Sequence, residues 1–387
     1  MIGGNFLLTS LFAFVTALAL AFALTPAVKI FAHKIGAIDV PKDSRRMHKV
    51  PLPRVGGLAI FLGFIISVLI FAQIDNQTKS IFIGAVIIVL LGVVDDITPL
   101  KPLIKLAGQI VAALIPVLNG VVIERLTDPF SKSGGVINMG VLAIPITIIW
   151  IVGMSNAVNF IDGLDGLAVG VSSIAAISMF AIAAIVSESY IAIIAAALAG
   201  ACFGFMPYNI NPAKIIMGDT GSLFLGYILA VLSIQGLFKV YAIISFAVPF
   251  IVLALPIVDT IFAIVRRIAR KQSPMTADKG HVHHRLIRMG FNQKQSVAIL
   301  YVLSIILGLS AVVLASSGET RIIILAVAVI LAFFIGMSVM SYDKNNVERQ
   351  TTLQGEESKP EEAEEPNTAD EEEKAEPSLE GHIDEEN

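Results

Sequence analysis

IFIGAVIIVLLGVVDD, residues 81–96, sets an unbroken apolar run from Ile81 to Val94 against two adjacent carboxylates, Asp95 and Asp96. The run does not alternate, so it is not a half-buried strand. It is shorter than the roughly 20 residues a straight helix needs to cross, so it reads as one of several membrane helices that neighbouring residues extend or other helices bury. Similar runs recur from the N-terminus to about residue 341. Composition agrees: of 387 residues, 56% are hydrophobic and only 15% charged, too few to clothe one large soluble core.

Eleven candidate spans follow, near 6–31, 55–72, 79–94, 104–119, 141–158, 167–186, 190–206, 220–236, 240–264, 297–316 and 321–341. The first lacks a basic leader and is too long for the apolar core of a signal peptide, so it reads as a span. Residues 120–140 carry Glu124, Arg125, Asp128, Pro129 and Gly134-Gly135, a turn signal, and read as a small external hairpin or loop. Cys202 is the sole cysteine and can form no intrachain disulfide.

Charge divides the loops into two sets. Loops 32–54, 95–103, 159–166, 207–219 and 265–296 hold most of the Lys and Arg, while the alternate set holds Arg125, Lys132 and Lys239. Basic loops stay inside, which places the N-terminus outside and the C-terminus inside. Residues 343–387 hold 17 acidic and 4 basic residues, leaving the body a net charge of +9. The expected fold is an all-α polytopic membrane protein of about eleven helices. It consists of a transmembrane catalytic domain over 1–341 and a disordered acidic cytoplasmic tail over 342–387. The tail reads as a solubilising appendage more than a binding segment.

Five motif-like stretches all fall in the basic set. Asp95-Asp96 suits Mg²⁺ beside phosphates, since that ion takes one or two carboxylates and keeps water and phosphate oxygens. Lys101 and Lys105 follow and can meet a phosphate. Asn159-Phe-Ile-Asp162-Gly-Leu-Asp165-Gly166 puts two aspartates on one face, with glycines admitting a close ligand. The blander reading is a helix cap. Asn209-Ile-Asn211-Pro212 leads to Met217-Gly218-Asp219-Thr220-Gly221-Ser222, where Asp219 is either a metal ligand or an N-cap. His281-Val-His283-His284-Arg285 can hold a diphosphate, or be a basic surface patch. Arg45-Arg46-Met-His48-Lys49-Val-Pro51-Leu-Pro53-Arg54-Val-Gly56-Gly57 is either topological charge or a further anion contact. Carboxylates and cations sharing one face point to a divalent cation with a phosphorylated substrate.

As an ordered set these residues resemble the polyprenyl-phosphate N-acetylhexosamine-1-phosphate transferases, over roughly residues 40–295. The resemblance implies a bacterial plasma-membrane enzyme with a cytoplasmic active site. It would transfer a sugar-1-phosphate from a UDP-sugar donor to undecaprenyl phosphate, releasing UMP, with Mg²⁺ or a substituting Mn²⁺. It implies Asp219 as metal ligand and Asp95 and Asp96 as the catalytic pair. Substrate contacts would come from Lys49, Lys105, Asn159, Asp162, Asp165, Asn209, His281, His283, His284 and Arg285. The histidine loop resembles the UDP-N-acetylglucosamine branch. The UDP-MurNAc-pentapeptide branch has three consecutive histidines followed by Phe-Glu, and a Thr-Pro-Thr-Met-Gly-Gly stretch where this chain has Leu52-Pro53-Arg54-Val55-Gly56-Gly57. General likeness leans toward wall teichoic acid initiation. A homodimer and no nucleic-acid partner complete the expectation. A cation-coupled transporter would bury carboxylates deep in spans and show an inverted repeat, and neither is evident. A scaffold would depend on the tail.

Overall fold

Backbone polar groups in a bilayer must be satisfied within the segment, so apolar runs become helices. In the computed structural model the described residues are 6–40, 50–127, 136–238, 247–269 and 281–315. All lie within the unit Met1–Val339. The chain forms α1 (Phe6–Lys34), β1 (Ile38–Asp39), β2 (Leu52–Pro53), α2 (Gly57–Phe71), α3 (Asn76–Ile97) and α4 (Pro102–Leu118). There follow β3 (Arg125–Thr127), β4 (Val136–Asn138), α5 (Ala143–Ile161), α6 (Leu167–Ile185), α7 (Ser189–Asn209) and α8 (Gly218–Leu232). The remaining helices are α9 (Ala247–Val252), α10 (Ala254–Ala269), α11 (Val282–Arg288) and α12 (Gln293–Ala315).

Six of the described helices are long and apolar enough to cross a membrane: α1, α3, α5, α6, α7 and α12. The helices α2 and α4 are shorter but also apolar. The chain is therefore an all-α polytopic membrane protein. The expected span at 321–341, Lys49 and the acidic tail lie outside the described residues.

Local chemistry sets the ends. Asp75 caps α3, accepting the Thr78 N–H at 2.7 Å. Pro102 opens α4, where its missing N–H costs nothing. Within the polar 120–140 segment the described residues include β3 and β4, paired antiparallel with Leu126 opposite Ile137.

The core lies around α7 and α8. Every residue of α8 except Asp219 is buried. Against α7 packs α1, at backbone distance: a Cβ on Gly200 would lie 2.1 Å from the Phe14 carbonyl oxygen, and one on Gly204 2.2 Å from that of Leu18. This is the small-residue, four-apart packing of membrane helices. On α1, Ala13, Ala17 and Ala21 are all fully buried and line the side toward α2, where a Cβ on Gly63 would lie 2.9 Å from the Ala17 carbonyl oxygen. From α2, Ser67 closes the triangle by donating to the Ala13 carbonyl at 2.7 Å.

The described part of the run 240–264 is two helices, α9 and α10, that meet at Leu253. Pro256 supplies the reason: it has no N–H for the carbonyl of Val252, the last residue of α9. Beyond the break, α10 turns one face inward with Asp259, Ala263 and Arg267.

Candidate active site

The site begins with a run of backbone. The Ile216 N–H donates to the Pro53 carbonyl, and the Gly56 and Gly57 N–H groups donate back to Ile216 and Met217. These bonds hold Val55 at φ 66°, in the left-handed region a β-branched residue avoids. Arg54, beside it, is thereby aimed at three carboxylates. Its Nε lies 3.2 Å from Asp96, an ion-pair contact without an aligned hydrogen bond, and its terminal nitrogens lie 3.9 Å from Asp39 and 3.7 Å from Asp219.

The ends of α3 and α8 meet because Gly92 has no side chain: a Cβ there would stand 2.5 Å from the Thr220 Cα. The adjacent aspartates then take different work. Asp96 is buried and accepts the N–H groups of Asp219 at 2.9 Å and Thr220 at 3.0 Å, and the Thr220 hydroxyl at 2.7 Å. It is the cap of α8, where the helix dipole favours negative charge. Asp95 instead accepts the Leu100 N–H at 2.7 Å and contacts the Lys105 ammonium at 3.2 Å.

Lys105 reaches from α4 to Asp219 as well as Asp95. Asn159, on the last turn of α5, faces Asp219 through its Nδ2 at 3.5 Å and accepts from the Ser222 hydroxyl at 2.8 Å. One turn deeper, the Asn156 amide donates to Gln109 at 2.6 Å and ties α5 to α4 beneath Lys105.

The Asp162–Gly166 loop lies alongside. Burial, then the nearby Asp219 carboxylate, pushes Asp162 up to about 8. Asp165 accepts the Asn211 amide at 2.9 Å and the Ala213 N–H at 3.1 Å. Asn209 is buried, accepts the Gly166 N–H at 3.1 Å and donates to the Ile215 carbonyl at 3.0 Å. Both side chains brace loops that the sequence reading treats as substrate-binding.

The histidine loop packs onto the same place. The His283 ring lies over Gly163, where a Cβ would come within 2.2 Å of Nε2. Among the described residues, that buried nitrogen has no hydrogen-bond partner. Burial, with His284 and His281 nearby, holds His283 down at about 3, so it stays neutral. His284 lies 4.3 Å from His283, ring to ring, and Arg285 is exposed on α11. Each of the five motifs thus contributes described residues to this neighbourhood. Sequence reading placed Arg54 in a basic motif without foreseeing its carboxylate partners, and it overlooked Asp259. The signal for Asp259 was a lone carboxylate inside an apolar run.

Among the described residues, no three His, Cys, Asp or Glu side chains stand together as a ready metal cage. What the geometry offers is a cluster of carboxylates, one ammonium and one guanidinium at helix ends. It suits a multiply charged anion and its counter-cation.

Comparison with known proteins agrees. Residues 78–237 match the glycosyl transferase family 4 model. The chain is 41% identical over 306 residues to a probable undecaprenyl-phosphate N-acetylglucosaminyl 1-phosphate transferase of Bacillus subtilis, covering 79% of this chain and 85% of that protein. It is 33% identical to a decaprenyl-phosphate N-acetylglucosaminephosphotransferase of Mycolicibacterium smegmatis, covering 83% and 86%. It is 30% identical to a phospho-N-acetylmuramoyl-pentapeptide-transferase of Desulfitobacterium hafniense, covering 71% and 87%. These long matches make the chain a member of glycosyl transferase family 4, the polyprenyl-phosphate N-acetylhexosamine-1-phosphate transferases.

Proposed function

We propose that this chain transfers N-acetylglucosamine-1-phosphate from UDP-GlcNAc to undecaprenyl phosphate, releasing UMP. The observation that carries the reading is Lys105 between Asp95 and Asp219, with Arg54 beside them: charges of both signs focused on one small volume. The donor follows from the relatives' names and from the His281-Val-His283-His284 loop, which lacks three consecutive histidines. The lipid-linked product is the kind of primer on which a cell-wall polymer such as wall teichoic acid is built. The basic loops 32–54 and 265–296 support a cytoplasmic site, an outside N-terminus and eleven spans.

A Mg²⁺ ion fits the donor set. Asp95 and Asp219 offer hard carboxylate oxygens, the one or two that Mg²⁺ takes from protein. The Lys105 ammonium already marks the gap between them as a place for positive charge. When bound, the ion neutralises the diphosphate and eases departure of UMP. Asp219 and Asp95 would hold it, and Mn²⁺ would substitute.

In the transfer, an oxygen of the lipid phosphate forms a bond to the sugar-bearing phosphorus. The bond from that phosphorus to the bridging oxygen breaks, and UMP leaves with the electron pair. A phosphomonoester has a second pKa of about 6, so the nucleophile arrives ionised and needs no base. Asp95, pinned by Leu100 and Lys105, orients it. Lys105 and Arg54 offset charge on the phosphoryl oxygens. Asp96 holds α8, and with it Asp219, in place.

The test offers purified protein, undecaprenyl phosphate and Mg²⁺ either UDP-GlcNAc or UDP-MurNAc-pentapeptide and follows UMP. Release with UDP-GlcNAc alone is expected. Release with the pentapeptide donor would reassign the substrate, and release with neither would end the transferase reading.

A further inference from the structure

Asp259 is 3% exposed on α10, in a stretch otherwise dominated by apolar residues. A carboxylate there is costly unless its charge is used. Both of its oxygens are. Oδ1 accepts the Val282 N–H at 2.9 Å, and Oδ2 lies 2.8 Å from Nδ1 of His281. An ionised carboxylate only accepts, so the proton of that contact belongs to the imidazole, on Nδ1.

The grip extends to the site. The His281 ring lies parallel to that of His283, 5.8 Å between centroids and 6° between planes, and 5.7 Å from the ring of Phe160. Phe160 follows Asn159 in the carboxylate cluster, and His283 covers Gly163. Turning His281 would therefore disturb both neighbours of Asp162: the end of α5 at Phe160 and the His283 ring over Gly163.

We infer that Asp259 is a positioning residue of the histidine loop, which fixes His281 as the Nδ1–H tautomer and leaves Nε2 as its one nitrogen for the sugar-nucleotide. The second half rests on the transferase reading.

Asp259→Asn separates shape from tautomer. The Val282 N–H still requires an oxygen, so the new amide must turn its NH₂ toward Nδ1. Both hydrogen bonds survive in number, but the imidazole proton is driven to Nε2. The measurement is nitrogen-15 NMR of the full chain, labelled at its six histidines and held in lipid nanodiscs at mildly alkaline pH. The His281 signals are assigned by their loss in His281→Gln.

The wild type should carry the proton on Nδ1. D259N should carry it on Nε2, with kcat/KM for the donor lower by about tenfold or more. A wild-type proton on Nε2 would overturn the inference, as would D259N with an inverted tautomer and full kcat/KM. The nitrogen signals do not depend on turnover. Wild-type protein that releases no UMP ends the transferase reading, while the protonated nitrogen still decides whether Asp259 sets His281.

Discussion

Asp96 accepts the backbone N–H of Asp219 at 2.9 Å, so a carboxylate from the end of α3 caps the helix that presents the principal metal-ligand candidate. Its neighbour Asp95 faces Lys105 instead. The Asp-Asp pair is therefore a division of labour, and the two substitutions should fail differently. Asp96→Ala removes the cap and the Thr220 contacts and should cost about 2 kcal/mol, seen as a lower melting temperature in detergent. Asp95→Asn should melt like the wild type but lose roughly 10²-fold in kcat. Its pH profile should keep the wild-type shape. Recovery of activity at alkaline pH would instead make Asp95 a base.

Lys105 holds two carboxylates together. Lys105→Met leaves them facing each other and should destabilise the protein by about 3 kcal/mol when divalent cations are chelated. Added Mg²⁺ should raise the melting temperature of the variant more than that of the wild type. An equal or absent rise would argue that the gap is not a cation site.

Asp162 gives a pH signature. Its folded value, about 8, is above the ordinary carboxylate value of 3.8. The folded protein therefore binds the extra proton, and stability falls as pH climbs from about 4 through about 8. Asp162→Asn mimics the protonated form. Without substrate or metal, it should match the wild type at acid pH and melt higher at pH 8–9. A variant that melts lower across the range would show the carboxylate to be ionised and paired.

Gly163 is reserved for the His283 ring. Gly163→Ala pushes a methyl into that imidazole and should displace the loop without unfolding the bundle. A shift of an ångström at a reacting centre costs on the order of 10²-fold. The check is kcat/KM for the donor beside an unchanged circular dichroism spectrum; wild-type turnover would mean the loop yields freely.

Much of this was legible because a bilayer simplifies the reading. Apolar length announced α3, α6 and α7, and the clash of Arg125 and Asp128 with a crossing announced the β3–β4 pair. Loop parity put Asp95, Asp162, Asp219 and His281 on one side, where the structure brings them together. Partners were not legible. Nothing in Asp95-Asp96 says which carboxylate turns toward a helix end more than a hundred residues away. Asp165 and Asn209 sit in motif positions yet spend hydrogen bonds on Ala213, Gly166 and Ile215, since a loop must satisfy its own backbone first. Asp259 was lost within a hydropathic average, and the α9–α10 break turned on one absent N–H.

The close fit of α1 to Gly200 and Gly204 also has a schedule. At about 5–20 residues per second, the ribosome needs on the order of ten seconds or more after making Phe14 to deliver α7. During that wait α2 is already present, and its Ser67 can reach the Ala13 carbonyl. The helical hairpin of α1 and α2 is thus an assembly intermediate by order of synthesis. Its open side, at Phe14 and Leu18, waits for Gly200 and Gly204 to arrive.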